Sequence, residues 1–208
     1  MIGNSPDVLK YKFGQIIDSD FDLVIRVNNF HIRGFDEHVG KRVDRAFISY
    51  AARPNPALHL MSGGNIYLYA ANKYSDIRFL RDRLKSRDEV NPGCGIQYDS
   101  VRKLSPSLYF FGLKLLLDLP TNQWPSTGVV AIQWALDYFS NKNDVFIHGF
   151  SFFEESGEFL EHYFPIINKR DSHHNFTKEK RYISNMLDRS KIYQLEDYYL
   201  YKANKGYF

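Results

Sequence analysis

The sequence predicts an α/β fold: a single domain over residues 1–208 in which a mostly parallel central sheet is flanked by helices. Three observations carry that expectation. Phe21–Val27, Arg45–Ser49, Asn65–Tyr69 and Asp144–His148 are short, rich in β-branched and aromatic residues and bounded by turn formers, so they read as strands. Longer segments with helical spacing lie between and after them, at Ser75–Leu84, Ser105–Leu117, Thr127–Phe139 and Phe176–Leu187. A chain of 208 residues with 44% hydrophobic and 16% aromatic content can bury one sizeable core. Strands that alternate with helices imply parallel pairing, with helices covering both faces of the sheet.

Taken in order, the elements have recognisable physical reasons. Only Met1 and Ile2 precede the turn at Gly3, so any strand ahead of it is minimal. Thr127–Phe139 is apolar on nearly every side, with Gln133 and Asp137 its main polar interruptions, and is expected to lie buried as the central helix. Leu108–Leu119 is broken by Lys114 and Asp118 and spaces its large residues like a helix with one buried face. It reads as a core helix, with weak association with a membrane surface as the second reading. The stretch Glu154–His173 is the least regular in the chain, and a long loop in a compact domain is often a functional lid.

Charge and cysteine content narrow the function classes. The formal charge of +3 arises from 27 basic and 24 acidic residues spread along the chain, with no basic block of the nucleic-acid-binding type. Mild basicity suits anionic substrates. The lone Cys94, in Asn91–Gly95, has no intrachain partner, and an unpaired thiol fits a reducing compartment. No signal peptide is evident, and no run approaches the roughly 18 apolar residues of a spanning helix. The expected location is the cytoplasm, peripheral at the inner membrane face if Leu108–Leu119 touches lipid.

Four places could carry chemistry. Gly3-Asn4-Ser5-Pro6 is placed like the strand-to-helix turns that grip nucleotides, although the same residues build any tight turn. Trp124-Pro125-Ser126-Thr127-Gly128 precedes the central helix. Ser126 is a natural N-cap, and the first-turn amides present an anion site at the positive end of the helix dipole; a plain cap is the alternative. Among His162, His173 and His174, His174 lies just ahead of a helix whose first turn carries Glu179, so it is a candidate general base with a carboxylate to orient it. The alternatives are solvated histidines or a metal site, for which firm ligand spacing is lacking. Asp18-Ser19-Asp20 could hold a divalent metal against a sugar diphosphate, or shape the turn into the strand that follows.

In combination these segments resemble the animal-type sialyltransferases, glycosyltransferase family 29. Residues 2–49 resemble the family's long motif through Ile2–Ser5, Ile17–Ser19, Val24–Asn28, Gly34-Phe35 and Val39–Arg42. Pro125–Gly128, Ala131, Ala135-Leu136, Val145 and Gly149-Phe150 look like its short motif. His162-Tyr163-Phe164 is similar to the third motif, and His174 with Glu179 has the spacing of the last.

The resemblance implies an inverting, metal-independent transferase that needs no cofactor, with a variant GT-A-like glycosyltransferase fold. Its partners would be CMP-sialic acid, or a related CMP-sugar donor, and a glycan acceptor. By the same analogy Asn4, Ser5 and Asn28 contact the CMP moiety, and Ser126, Thr127 and Gly128 hold donor phosphate or carboxylate. His162 contacts phosphate, His174 is the base, and Trp124 and Tyr163 wall the donor pocket. Departures are visible too. Phe139 stands where the short motif would have cysteine, and Pro165 ends the third motif where an acidic residue is common. The family's usual anchor and stem are also lacking, which suits a compact microbial or viral relative. A CMP-Kdo-type transferase, a metal-dependent sugar-diphosphate enzyme and a non-catalytic nucleotide- or glycan-binding protein of a surface-polysaccharide assembly are the alternatives.

Overall fold

The computed structural model describes residues 1–28, 30–49, 65–69, 101–103, 111–139, 144–151, 163 and 174–206. The expected helix at 75–84, Cys94, His162, His173 and all of the expected lid except Tyr163 lie outside them.

The chain enters through a single extended residue. Ile2 bridges Arg26 on one side and His148 on the other, both in the parallel sense. A 3-10 turn, Pro6–Lys10, and helix α1, Gly14–Ser19, lead to strand β1, Ile25–Val27. Helix α2, Asp36–Val39, is followed by β2, Arg45–Ser49, β3, Asn65–Tyr69, and β4, Val101–Lys103. Helix α3, Gly112–Leu116, precedes the long α4, Thr127–Phe139, then β5, Phe146–Ile147, and α5, Phe176–Asp188. The chain continues through β6, Tyr193–Gln194, a 3-10 turn, Leu195–Asp197, and α6, Tyr198–Asn204.

Strands β1 to β4 form one sheet in the order 1-2-3-4, and β5 pairs with β6 in a second; every pairing is parallel. Among the described residues the expected single central sheet is seen as these two sheets, joined through Ile2. One residue cannot carry a ladder, and the glycine turn begins immediately after it. The seam is nonetheless regular: Ile2 N donates to Ile25 O at 2.8 Å, His148 N to Met1 O at 3.0 Å and Gly3 N to His148 O at 2.8 Å.

Strands β2 and β3 match their sequence-based bounds, whereas β1 is shorter than the Phe21–Val27 run. Side chains replace the ladder there. Asp44 accepts from Val24 N at 2.7 Å, while the Arg42 guanidinium donates to the carbonyls of Phe21 and Asp22.

Among the described residues, apolar clusters pack on both faces of the sheets. On one face α4 buries Val129, Val130, Ile132, Trp134 and Leu136 against Ile25, Val27, Phe47 and Ile147, with Trp134 and Phe47 ring centroids 4.9 Å apart. This is the central helix that the apolar run predicts. On the other face Ile2, Val8, Ile17, Val24, Val39, Phe146, Leu195 and Tyr198 cluster. Helix α3 buries Leu113, followed by buried Leu117 and Leu119, and leaves Phe111, Leu115 and Leu116 exposed. Among the described residues no helix is long and apolar enough to cross a membrane.

Candidate functional site

In parallel sheets the loops after the strands gather at one edge. The turn Gly3–Ser5 follows Ile2, Asn28 follows β1, and Gly149-Phe150 follows β5, so these three segments meet there. Asn4 Nδ2 donates to Val27 O at 3.0 Å, which puts the two asparagines side by side although 24 positions separate them. Asn28 has φ 51°, a left-handed conformation that asparagine tolerates better than most residues. Ser5 N donates to Gly149 O at 3.0 Å. Ser5 is buried, and its hydroxyl lies 3.2 Å from both the amide and the carboxylate of Asp7, so it caps the 3-10 turn.

Close packing makes Gly3 obligatory and leaves little room at Gly128. A Cβ on Gly3 would stand 2.3 Å from Gly149 O, and one on Gly128 would stand 3.2 Å from the Phe150 ring. The same ring is 3.2 Å from the Gly3 position. Phe150 therefore lies between the first turn of α4 and the Gly3 turn, coupling the short motif to the long one. Only its place beside Gly149 in the short-motif pattern could have flagged this role.

Tyr163 joins the same edge. Its N–H donates to Asn4 O at 3.1 Å, its hydroxyl donates to His31 O, and that hydroxyl accepts from His31 N at 2.9 Å. The residue is buried against Phe35, and burial pushes the phenol up to about 12. It fastens the Asn4 backbone to the 30–32 segment.

The second half of the site forms where two helix N-termini converge. Asn175 caps α5, accepting from Lys178 N at 3.1 Å, and Glu179 follows in the first turn. Glu179 is fully buried; its carboxylate accepts from Ser126 N at 2.7 Å and from Ser126 Oγ at 2.5 Å. Ser126 Oγ also accepts from Val129 N at 3.3 Å, so it caps α4. Burial raises the Glu179 carboxyl above its ordinary range, against the opposing pull of the Ser126 bonds and of His174 when that ring is protonated. Sequence reasoning paired Glu179 with His174; its direct partner is Ser126.

His174 Nδ1 lies 2.8 Å from Trp124 O. A carbonyl only accepts, so Nδ1 carries the proton and the neutral ring keeps its lone pair on Nε2. The Lys114 ammonium stands 3.8 Å from the Trp124 ring centroid. Thr127 is buried, and the amides of Thr127 and Gly128, in the first turn of α4, have no intrahelical acceptor. Asn4, Ser5, Asn28 and Tyr163 are thus one group, Trp124, Ser126, Thr127, Gly128 and His174 another, and Phe150 touches both turns.

Among the described residues no three metal-ligating side chains gather. Asp18 accepts from Lys41 N and Arg42 N at 2.9 Å, whereas Asp20 binds Ser19, Tyr198 and Lys202. The two carboxylates serve different elements, consistent with shaping turns.

The sequence profile of glycosyltransferase family 29 (sialyltransferase) matches residues 1–191. The type 2 lactosamine alpha-2,3-sialyltransferase of Homo sapiens is 29% identical, over 94% of this chain and 63% of the relative. The CMP-N-acetylneuraminate-beta-1,4-galactoside alpha-2,3-sialyltransferase of Rattus norvegicus is 23% identical, over 90% of this chain and 54% of the relative. The chain thus spans less than two thirds of the length of these curated relatives. A mammalian sialyltransferase crystal structure shares the fold, with TM-score 0.71 at 18% identity over 93% of this chain and 67% of that one. A mammalian sialyltransferase in complex with Gal-beta-1-3GalNAc-ortho-nitrophenol superposes with TM-score 0.64 at 16% identity over the same shares. With the profile running from the Gly3 turn through the Ser126–Glu179 pair and beyond, the chain belongs to glycosyltransferase family 29.

Proposed function

We propose that the chain transfers sialic acid, or a related nonulosonic acid, from its CMP donor to a hydroxyl of a glycan acceptor, by a single inverting displacement that needs no metal or other cofactor, on a variant of the GT-A-like fold. The observation that carries this reading is His174: its Nδ1 is fixed by the Trp124 carbonyl beside the first turn of α4, so that a basic nitrogen and an anion-binding helix end lie together. The acceptor proton passes to Nε2 as the new C–O bond forms. The bond to the phosphate oxygen breaks, and CMP leaves with the electron pair. Charge on that monophosphate is met by the Thr127 and Gly128 amides and by His162.

Asn4 and Asn28 hold the nucleotide, Ser5 shapes their turn, and Trp124 walls the donor pocket. Ser126 contributes by fixing the helix end, because Glu179 occupies its N–H and hydroxyl. Tyr163, committed to His31 and Asn4, acts by holding the Asn4 turn. The curated relatives are named for alpha-2,3 transfer to lactosamine and to galactosides, which makes a terminal galactoside our first choice of acceptor. Cytoplasmic residence belongs to the same proposal, supported by the unpaired Cys94.

The test is turnover of a panel of CMP-sugars, including CMP-sialic acid and CMP-Kdo, onto galactoside acceptors with and without EDTA. Transfer of sialic acid that survives chelation is expected. His174→Ala is expected to lower turnover at least 10³-fold, within the range of general-base loss, while CMP still binds. Full activity in that variant would falsify the reading.

A further inference from the structure

The family profile ends at residue 191, yet the chain beyond it reaches back to the donor side of the fold. Strand β6 pairs with β5, Phe146 to Tyr193 and Ile147 to Gln194, and the following turn buries Leu195. This carries the carboxylate of Glu196 to 2.8 Å from His148 Nδ1. The imidazole is wholly buried and has the rings of Phe13 and Tyr11 edge-on at 5.4 and 6.1 Å. Its Nε2 and Glu196 Oε2 have no other hydrogen-bond partner, so the bond between Nδ1 and Oε1 is the one polar tie holding this ring.

The backbone of His148 is the seam through which the Gly3 turn is held. Its N–H donates to Met1 O, its carbonyl accepts from Gly3 N, and the carbonyl of Gly149 accepts from Ser5 N. Three successive hydrogen bonds therefore set the register of Met1–Ser5, and of Asn4 within it, from residues 148 and 149. Gly149, at φ 75°, leaves room for Val8 only because it lacks a side chain, so the peptide after His148 has little latitude of its own.

We infer that Glu196, acting through the buried His148 imidazole, is a positioning residue for nucleotide binding: the segment after residue 191 braces the Gly3–Ser5 turn from behind. This rests on the reading of that turn as the CMP site. Glu196 touches no substrate, so its removal changes donor affinity and leaves the chemical step alone. Because the Glu196 side chain is 26% exposed, its truncation leaves the core packed.

The experiment is calorimetric titration of the full chain with CMP, alongside donor KM and kcat. Glu196→Ala is expected to weaken CMP binding about tenfold, equivalent to about 1.4 kcal/mol, and to raise donor KM similarly with kcat within about twofold. Glu196→Gln keeps an acceptor for Nδ1–H and is expected to restore affinity to within about threefold. A purely structural role would instead lower the melting temperature without this split or rescue. Glu196→Asp, which shortens the side chain by one methylene, gives a milder second variant with about a threefold loss. If folded Glu196→Ala or Glu196→Asp binds CMP as tightly as the parent, the inference is overturned. If the parent itself does not bind CMP, the reading of the turn fails and takes the inference with it.

Discussion

Replacing Glu179 probes the point where the two helix N-termini meet. Its carboxylate is fully buried and accepts two hydrogen bonds from one serine, at 2.7 and 2.5 Å. Hydrogen bonds to a charged group contribute about 1.5–3 kcal/mol each, and a buried N–H left without its partner costs about 1–3 kcal/mol. Glu179→Ala removes both bonds, strands the Ser126 amide and opens a void. The expected loss is about 4 kcal/mol, a large fraction of the roughly 5–15 kcal/mol that holds a domain together. Glu179→Gln keeps an oxygen for Ser126 N and relieves the burial of charge, so its expected loss is only about 1–2 kcal/mol. Urea denaturation of the three proteins at neutral pH measures both.

The same carboxyl group makes a signed statement about pH. Burial is the largest influence on it and raises its pKa from 4.5 in the folded chain. Between 4.5 and the raised value the folded state binds more protons than the unfolded state, so stability falls as pH rises. The contribution is fully present below the unfolded value and lost as pH climbs through the folded one. The difference in unfolding free energy between parent and Glu179→Gln should therefore drift with pH upward from about 4.5. A flat difference curve, or a Glu179→Ala protein as stable as the parent, would refute the assignment of Glu179 as the buried tie between the helices.

Two further substitutions test the frame around the site. Gly3→Ala would force a Cβ to 2.3 Å from the Gly149 carbonyl oxygen and is expected to destabilise by about 3 kcal/mol or more and to abolish CMP binding; an unchanged urea midpoint would contradict the seam described here. Asp20, held at about 2 mainly by its hydrogen bonds from Ser19, Tyr198 and Lys202, contributes stability that is present above its unfolded value of 3.8 and lost as pH falls through about 2. Asp20→Asn should cost about 0.5 kcal/mol at neutral pH, because solvent screens this exposed cluster, and nothing at pH 1.5; equal losses at both pH values would sink the assignment.

The parts of the fold legible in the sequence were those whose signal is local. Arg45–Ser49 and Asn65–Tyr69 read as strands because neighbouring residues carry the pattern, and Thr127–Phe139 as a buried helix because its apolar residues surround it. The β1 run was over-long in the sequence because its hydropathy continues where its hydrogen bonds do not: Arg42 and Asp44, some twenty positions on, take the backbone groups of 21–24. Val101–Lys103 offers one apolar residue in three, too little for any period to register. The split between sheets could not be read at all, since it depends on one residue having two partners.

The site divides along the same line, and the division changes what its motifs mean. Gly3 and Gly128 could be read in sequence either as turn formers or as places for a phosphate to approach the backbone. The structure supplies a packing reason instead, decisive for Gly3 against the Gly149 carbonyl and weaker for Gly128 against the Phe150 ring. Ser5 and Ser126 likewise spend their hydroxyls on Asp7 and Glu179. Four residues that look like ligand contacts thus have internal work that would preserve them with no nucleotide present. Asn4 spends its amide on Val27 O as well, so the functional reading leans on Asn28 and His174. Asn28 keeps a left-handed backbone at a strand end where glycine would be easier. His174 holds a defined tautomer, its Nδ1 on the Trp124 carbonyl, at a helix end that Ser126 and Glu179 fix. A ring nitrogen with its lone pair directed by a bond at the other nitrogen, beside a helix N-terminus, is the arrangement that proton acceptance next to a leaving phosphate requires.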